Sequence, residues 1–277
     1  MIVEKPEEIF NKIHKEDFIN LINIAKKYEY IPEKMLIEEY ETGNKILQQL
    51  QDRWVKSLST SPDYSVYAHP AYMNESFVCW KLYARRYIKQ LKKYLTQPNC
   101  ELDLSKIHTI LDLGCGCAYS TVGLKAVFEN ATVVGTNLPG TLQFNIDKDV
   151  TENIDGCEII DEEHTLHLPS VDMVFASEFF EHLTNPIDLL AALIDTYNPK
   201  YFVFANTFTK MSIGHFPHYS YNGAIYLGSE ITRIFGTYLR KHGYRRVHTN
   251  FFNGRPQIYK KTPKFTLKRL FEVPDAE

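Results

Sequence analysis

The sequence has no long hydrophobic run, and its cysteines are few and unpaired. No apolar stretch among the 277 residues approaches the roughly 18 residues that a membrane-spanning helix needs. The first residues, Met1 to Pro6, lack a basic region followed by an apolar core, so we expect no signal peptide. The five cysteines are odd in number and lack C-x-x-C spacing, which argues against a disulfide framework or a zinc site. We therefore expect a soluble cytoplasmic protein with no membrane partner.

The sequence also lacks the excess of basic residues that is typical of dedicated nucleic-acid-binding proteins. Lys and Arg number 31 and Asp and Glu number 34, so the net charge is -3. One local basic group, Arg85 to Lys93, falls on a predicted helix, and residues 261–277 form a basic tail. Solvated helix faces and a solubilising tail explain these groups more simply than a track for phosphates.

The hydrophobic pattern divides the chain into two main regions. Residues 1–105 predict a helical extension without strand alternation, including helices over 33–58 and 75–95. Residues 106–260 predict alternating strands and helices, which indicates a doubly wound, mostly parallel α/β sheet. The seven predicted strands span 107–113, 132–137, 157–160, 171–176, 201–206, 246–252 and 256–260.

The most informative stretch is an apolar strand that ends in Asp-x-Gly-x-Gly. Asp112, Gly114 and Gly116 form this motif, and an amphipathic segment over 119–128 follows at once. The pattern predicts a strand, a tight turn and a helix start, with glycines that let a ligand lie on the main chain. It is not the dinucleotide fingerprint G-x-G-x-x-G, because Tyr119 stands at the third glycine position. The aspartate favours a ligand that carries a cation and hydroxyls.

A second motif follows about 65 residues later. The predicted strand 171–176 leads into Ser177-Glu178-Phe179-Phe180-Glu181-His182. Together the two motifs resemble the class I S-adenosylmethionine-dependent methyltransferases, whose first motif reads Asp-x-Gly-x-Gly-x-Gly. The sequence departs from that motif at Ala118, where the family usually has a third glycine. The resemblance covers 106–260 and implies a Rossmann-like methyltransferase fold, with an antiparallel hairpin closing the seven-stranded sheet.

The resemblance also implies a set of residues that bind S-adenosylmethionine. Asn137 stands where the family usually has an acidic residue for the ribose hydroxyls, and its amide oxygen can still accept one proton. Counting back from Leu168 places His164 at the adenine contact, with Asp161 and Glu162 as alternatives. The full expected set is Asp112, Gly114, Cys115, Gly116, Asn137, His164 and Glu178.

Glu178, Glu181 and His182 allow three interpretations. Glu181 and His182 can be structural residues at a helix start. The Glu-x-x-Glu-His pattern also resembles the metal-binding motif of ubiquinone-biosynthesis O-methyltransferases and of small-RNA 3′-end 2′-O-methyltransferases. That resemblance implies a divalent metal such as Mg held by Glu178, Glu181, His182 and His215. In the third interpretation, His182 or His215 is a direct general base without a metal. The sequence leaves the three open, with these four residues as the catalytic candidates.

Two aromatic clusters are predicted to line the acceptor site. Tyr64, Tyr67 and Tyr72 precede the sheet, and His218, Tyr219 and Tyr221 follow the fifth strand. They favour a flat or polyhydroxylated small molecule.

We therefore expect in-line methyl transfer from S-adenosylmethionine to a hydroxyl or amine of a small-molecule acceptor. One alternative is a metal-assisted RNA ribose 2′-O-methyltransferase, which a basic groove formed by 85–93 and 240–246 would support. The other is a catalytically silent scaffold that retains the cofactor site. Residues 1–105 would serve as a lid or as a dimer interface.

Overall fold

The computed structural model of the chain describes residues 45–69, 72, 76 and 79–262. Within this part, the helical extension contains α1 (Lys45–Ser57), a 3-10 turn (Tyr64–Val66), and a π-helical stretch (Trp80–Ala84) that continues into α2 (Arg85–Leu95). The beginning of the predicted helix 33–58 and nearly all of the predicted basic tail lie outside the described residues.

The seven-stranded sheet is the centre of the fold. Its strands are β1 (Thr109–Leu113), β2 (Thr132–Asn137), β3 (Cys157–Asp161), β4 (Met173–Ser177), β5 (Tyr201–Ala205), β8 (Tyr244–Arg246) and β9 (Gln257–Lys261). They lie in the order β3-β2-β1-β4-β5-β9-β8, and β9 runs antiparallel to both of its neighbours. The helices α3 (Tyr119–Val127), α4 (Leu142–Thr151), α5 (Pro186–Tyr197) and α6 (Gly228–Lys241) connect the strands. The predicted doubly wound, mostly parallel sheet is confirmed.

Strand alternation explains why both faces of the sheet are covered. In β1, Ile110 packs in one hydrophobic cluster, and Leu111 and Leu113 pack in the other. In β4, Phe175 and Val174 divide in the same way. Successive side chains of a strand point to opposite faces, so an almost continuous apolar run supplies two cores at once. Strand order reverses between β1 and β4, where ligands of such sheets bind at the carboxyl ends of the strands.

Two details of the sheet prediction were wrong. The strand expected at 246–252 is β8, which ends at Arg246. The chain then leaves the sheet because Phe251 packs edge-on against Tyr94 of α2, with ring centroids 5.7 Å apart. The sequence prediction also missed a second, two-stranded sheet of β6 (His218–Tyr221) and β7 (Ala224–Leu227). Its turn signal was present, since Asn222 and Gly223 both adopt the positive φ of a hairpin turn.

The described part of the extension packs against both faces of the sheet, because Ile88 and Leu91 of α2 are buried in the cluster that contains Ile110 and Phe175. Leu47, Leu50 and Trp54 of α1 are buried in the same cluster as Val174, Phe202 and Phe216. The extension is therefore part of one continuous fold, and its role as a lid stays a prediction. Among the described residues, no helix combines the length and apolar character needed to cross a membrane.

Candidate active site

A cavity of about 930 Å³ opens at the carboxyl ends of β1 and β4, the point where strand order reverses. Residues of the glycine turn and of the β2 and β3 ends line one part, called here the donor end: Asp112, Gly114, Cys115, Gly116, Asn137 and Glu162. Residues of the extension and of the segments after β4 and β5 line the other part, called the acceptor end: Tyr64, Tyr67, Tyr72, His182, Lys210 and His215. Glu178 and Phe179 lie in the same wall.

The glycine turn takes the left-handed conformation three times in five residues. Gly114, Gly116 and Ala118 have φ values of 63°, 66° and 57°. A Cβ at Gly114 would lie 2.5 Å from the Phe179 ring, whereas at Gly116 nothing lies closer than 3.7 Å. Gly116 therefore leaves main chain open to a ligand. The left-handed φ of Ala118 also explains why a glycine suits this position, since the conformation strains any residue that has a Cβ.

Asp112 holds the turn and retains one free oxygen. Its Oδ2 accepts hydrogen bonds from Ser120 Oγ at 2.7 Å and from Thr121 Oγ1 at 2.8 Å, which ties β1 to the start of α3. No group among the described residues donates to Oδ1, and Asp112 lies in the cavity wall. Burial raises the pKa of this carboxyl to about 7. A cationic ligand at Oδ1 would favour its charged form.

Asn137 braces the turn from the end of β2. Its Nδ2 donates to Gly116 O at 2.7 Å and to Asp147 Oδ2 at 3.0 Å, and its Oδ1 accepts from Leu138 N. One lone pair of Oδ1 remains for a ribose hydroxyl. Asp147 is fully buried on α4, and burial raises its pKa to about 8, so a neutral acid stands beneath the donor end. Asp147 could not be identified from the sequence, because an aspartate within a helix is usually solvated.

Glu178 and Glu181 are neighbouring carboxyl groups with raised pKa values. Burial raises the pKa of both, and the charge of Glu178 raises the pKa of Glu181 further. Glu181 Oε1 accepts from Thr207 N at 2.6 Å, while its buried Oε2 has no partner among the described residues. Glu178 Oε1 lies 3.7 Å from Arg255 Nη1, and the positive charge of Arg255 favours the ionised form of Glu178.

Two neutral histidines meet at the acceptor end. The rings of His182 and His215 lie 4.7 Å apart in an edge-on arrangement, and burial lowers the pKa of both, that of His215 to about 4. His215 Nδ1 lies 2.6 Å from Lys210 O. A carbonyl only accepts hydrogen bonds, so the proton is on Nδ1 and Nε2 carries a lone pair. No group among the described residues bonds to that Nε2.

The extension holds both histidines in place. Tyr67 OH lies 2.9 Å from His182 Nδ1, and Trp54 Nε1 donates to His215 O at 2.8 Å. Gly214 packs against Tyr67 and His182, where only a residue without a side chain fits. A Cβ at this position would lie 2.1 Å from Tyr67 OH and 2.4 Å from His182 Nδ1. The Trp54 contact joins residues that are 161 positions apart, and the sequence carried no sign of it.

The four predicted metal ligands do not fit a metal ion. Glu181 is completely buried and lies outside the cavity wall, whereas Glu178, His182 and His215 line it. Among the described residues, no three His, Cys, Asp or Glu side chains converge on a point where a cation could bind. The metal prediction is therefore not supported, because the turn after β4 directs Glu181 and His182 into different environments.

Four other predicted site residues lie outside the cavity. His164 ends a single 3-10 turn (Glu162–His164), and each residue of such a turn rotates by about 120°, so Glu162 and Glu163 face the cavity and His164 faces away. His218, Tyr219 and Tyr221 belong to β6. His218 is exposed, Tyr219 is buried against Phe208, and Tyr221 packs near Tyr238. The predicted loop after β5 becomes a strand two residues beyond Phe216, which removes all three from the wall.

Sequence reasoning also missed the polar residues that enclose Glu178. Arg255 Nη1 donates to Thr207 Oγ1 at 2.6 Å, and both residues line the cavity with Lys210. Arg255 lies on the loop before β9, in a segment predicted only to close the sheet. The antiparallel position of β9 next to β5 brings it to the site.

The sequence matches no known family model, and no curated protein is similar to it. Solved structures do share its fold. PigF with SAH is 11% identical over 78% of this chain and 70% of that chain, with a TM-score of 0.52. Human N-acetylserotonin methyltransferase in complex with SAM is 12% identical over 83% and 70%, with a TM-score of 0.51.

An O-methyltransferase family protein from Burkholderia thailandensis is 9% identical over 79% of this chain and 70% of that chain, with a TM-score of 0.51. At these identities the similarity concerns the fold. The chain has the Rossmann-like fold of S-adenosylmethionine-dependent methyltransferase structures.

Proposed function

We propose that the protein is an S-adenosylmethionine-dependent methyltransferase that acts on a hydroxyl or amine of a small molecule. One observation carries the proposal: a single cavity joins an open glycine turn to a buried histidine whose Nε2 lone pair is free. The fold supports it, because the structures that share the fold include methyltransferases with SAM or SAH.

The donor end suits a ligand that carries positive charge. S-adenosylmethionine, when bound, supplies an electrophilic methyl group on a positively charged sulfur. Asp112 Oδ1 and the Glu178 carboxylate are acidic groups that would hold such a ligand from the carboxyl ends of the neighbouring parallel strands β1 and β4. Gly116 would let it lie on the main chain, and Glu162 replaces His164 as the candidate for the adenine amine.

The acceptor end suits proton removal from a hydroxyl. With S-adenosylmethionine bound, His215 Nε2 would take the hydroxyl proton as the acceptor oxygen bonds to the methyl carbon, with the electron pair of the broken carbon–sulfur bond left on sulfur. The positive charge lost at sulfur reappears on the imidazolium, so the charge inside the cavity is conserved. The proton leaves to water after product release. Trp54 and Tyr67 are positioning residues, since they hold His215 and His182 and not the reacting atoms.

The cavity favours a small acceptor. Its volume of about 930 Å³ must hold donor and acceptor together, and Tyr67, Tyr72 and Phe179 give its wall flat aromatic surfaces. Aromatic walls exclude water and orient a planar or hydroxylated ring. Nucleic acid is the second candidate acceptor, favoured by the basic residues next to Arg255 that are described below.

Calorimetric titration with S-adenosylhomocysteine tests the donor site, with and without magnesium after chelation. We expect binding that magnesium leaves unchanged. Binding together with methyl transfer to a panel of phenols and polyols would support the full proposal. Absence of binding would overturn it, and binding without donor turnover in cell extract would favour a silent scaffold. Binding or turnover that requires magnesium would restore the metal interpretation.

A further inference from the structure

Positive charge is concentrated in two stretches that contain no acidic residue. Residues 76–100 hold six Lys and Arg, and residues 231–262 hold eight, while all 34 Asp and Glu of the chain lie elsewhere. A chain with a net charge of -3 is therefore strongly polarised along its sequence. Segregation of this kind creates a local positive field that the overall charge conceals.

The fold brings the two stretches together. Arg86 of α2 lies over the Phe252 ring, with Cζ 5.7 Å from the centroid, and Tyr94 packs edge-on against Phe251. Arg246 Nη2 donates to Gly254 O at 3.3 Å, on the other side of the same turn. Lys89 and Lys93 follow Arg86 at helical spacing on the exposed side of α2. We call Arg86, Lys89, Lys93, Arg246 and Phe252 the basic face.

The cations of this face are not neutralised within the described part of the chain. Arg86, Lys89 and Arg246 form no salt bridge there, whereas the neighbouring Arg245 and Lys260 both pair with Glu101. Burial and the charge of Arg85 lower the pKa of Lys89, which shows like charges held close together. Clustered cations without acidic partners favour an anionic ligand from outside the chain.

The exposed ring of Phe252 indicates which class of anionic ligand fits the basic face. Its side chain is 64% exposed at the tip of a 3-10 turn, between Arg86 and Arg246. An exposed aromatic ring among cations matches single-stranded nucleic acid, whose phosphates repeat along the backbone and whose bases stack on rings. A lipid surface or an acidic peptide would use the charges but has no flat group for the ring. The face reaches the cavity, since Arg255 follows Gly254 directly and lines the wall.

We propose that the basic face binds single-stranded nucleic acid next to the mouth of the cavity. The inference goes beyond the proposed function and does not depend on it, because binding at this face requires neither methyl donor nor turnover.

Fluorescence anisotropy of the full chain with labelled single-stranded 15-mers of RNA and DNA tests the proposal, with a duplex of the same sequence for comparison. We expect binding that weakens steeply with KCl and that prefers the single strand. The double variant Arg86→Glu, Arg246→Glu should weaken it by at least about tenfold. Phe252→Ala should weaken it by about tenfold through loss of stacking. Affinity for S-adenosylhomocysteine in these variants should stay at the wild-type value, which reports an intact fold.

Lys148→Glu is the matched control, because Lys148 is an exposed cation 4.3 Å from the Phe144 ring on α4, which packs against β3 at the opposite end of the sheet. It should leave binding unchanged. The proposal is overturned by absence of binding, or by equal loss in Lys148→Glu and the double variant. It is also overturned if phosphatidylserine vesicles bind the face and the oligonucleotides do not. Methyl transfer to the bound strand would add that the ligand is also the acceptor.

Discussion

The donor and acceptor ends of the cavity are built in different ways. The donor end comes mainly from the consecutive residues 112–118 and relies on main-chain conformation, with φ between 57° and 66° at three positions. The acceptor end is assembled from distant segments, such as Trp54 and His215, and relies on side-chain hydrogen bonds. A motif can therefore identify the first end, while only the folded chain shows the second. The two ends should also respond differently to mutation.

The largest effect is expected at the acceptor end. His215→Ala removes the proposed base and should lower kcat by about 10²–10⁴-fold. Affinity for S-adenosylhomocysteine should not change, because His215 lies away from the glycine turn. Single-turnover kinetics and calorimetry measure the two quantities. His218→Ala, an exposed neighbour on β6, is the control and should behave as wild type. Equal activity of both variants would remove His215 from the chemistry.

The opposite pattern is expected at the donor end. Gly114→Ala places a Cβ 2.5 Å from the Phe179 ring at a φ of +63°, so ring and turn must shift. The strain should weaken donor binding by about tenfold or more. Gly223→Ala has a similar φ of +75° with nothing within 4 Å, and it should leave donor affinity unchanged. An unaltered calorimetric affinity in Gly114→Ala would mean that the turn does not contact the donor.

The pH dependence of catalysis should report the proposed base at the acceptor end. Burial lowers the pKa of His215 to about 4, and a base works only when deprotonated. With S-adenosylmethionine saturating, so that the bound cation keeps Asp112 in its charged form, kcat/KM for the acceptor should therefore stay level from pH 8 to about 5.5 and fall as pH approaches 4. Circular dichroism at each pH must show a folded protein. A fall centred near pH 6.5 would point to an unperturbed histidine or to a different base.

A smaller effect is expected where the extension supports the acceptor end. Tyr67→Phe removes the hydroxyl that contacts His182 Nδ1 but keeps the aromatic packing on Tyr72. Loss of one neutral hydrogen bond is worth about 1 kcal/mol, or about fivefold in kcat. Tyr226→Phe, on β7, is a control with the same chemical change. A loss as large as that of His215→Ala would make Tyr67 part of the chemistry.

The smallest effect concerns the strained alanine of the turn. Ala118→Gly relieves a φ of 57° and should raise the free energy of unfolding by up to about 1 kcal/mol. Donor affinity should stay the same or improve slightly. Urea denaturation followed by circular dichroism measures the change. Destabilisation would show that the Ala118 methyl group contributes more by packing than it costs in strain.

Much of the fold could be predicted from the sequence because it depends on local patterns, such as strand alternation and glycine turns. The alternation of Ile110, Leu111 and Leu113 and the glycines after Asp112 both depend on near neighbours, so the strand and the turn after it were predictable. The residues that line the acceptor side depend on the local conformation of the connecting segments. The 3-10 turn after β3 directs Glu162 into the cavity and His164 away from it, and the unpredicted strand β6 places Tyr219 and Tyr221 outside the cavity wall. Glu181 is buried and accepts a hydrogen bond from Thr207 N, so it does not join the two histidines in the cavity wall, and no pattern in the sequence records that contact.

The contact between Trp54 and His215 affects the order in which the two ends of the cavity can form during synthesis. During synthesis the chain emerges from its N-terminus, so Trp54 is available long before its partner His215 has been made. The strands that build the donor end emerge in between. A nascent or truncated chain that ends before residue 215 can thus assemble the glycine turn but leaves the Trp54 indole without its carbonyl. The acceptor end is completed last, so the proposed methyl transfer would begin only after nearly the whole chain has folded.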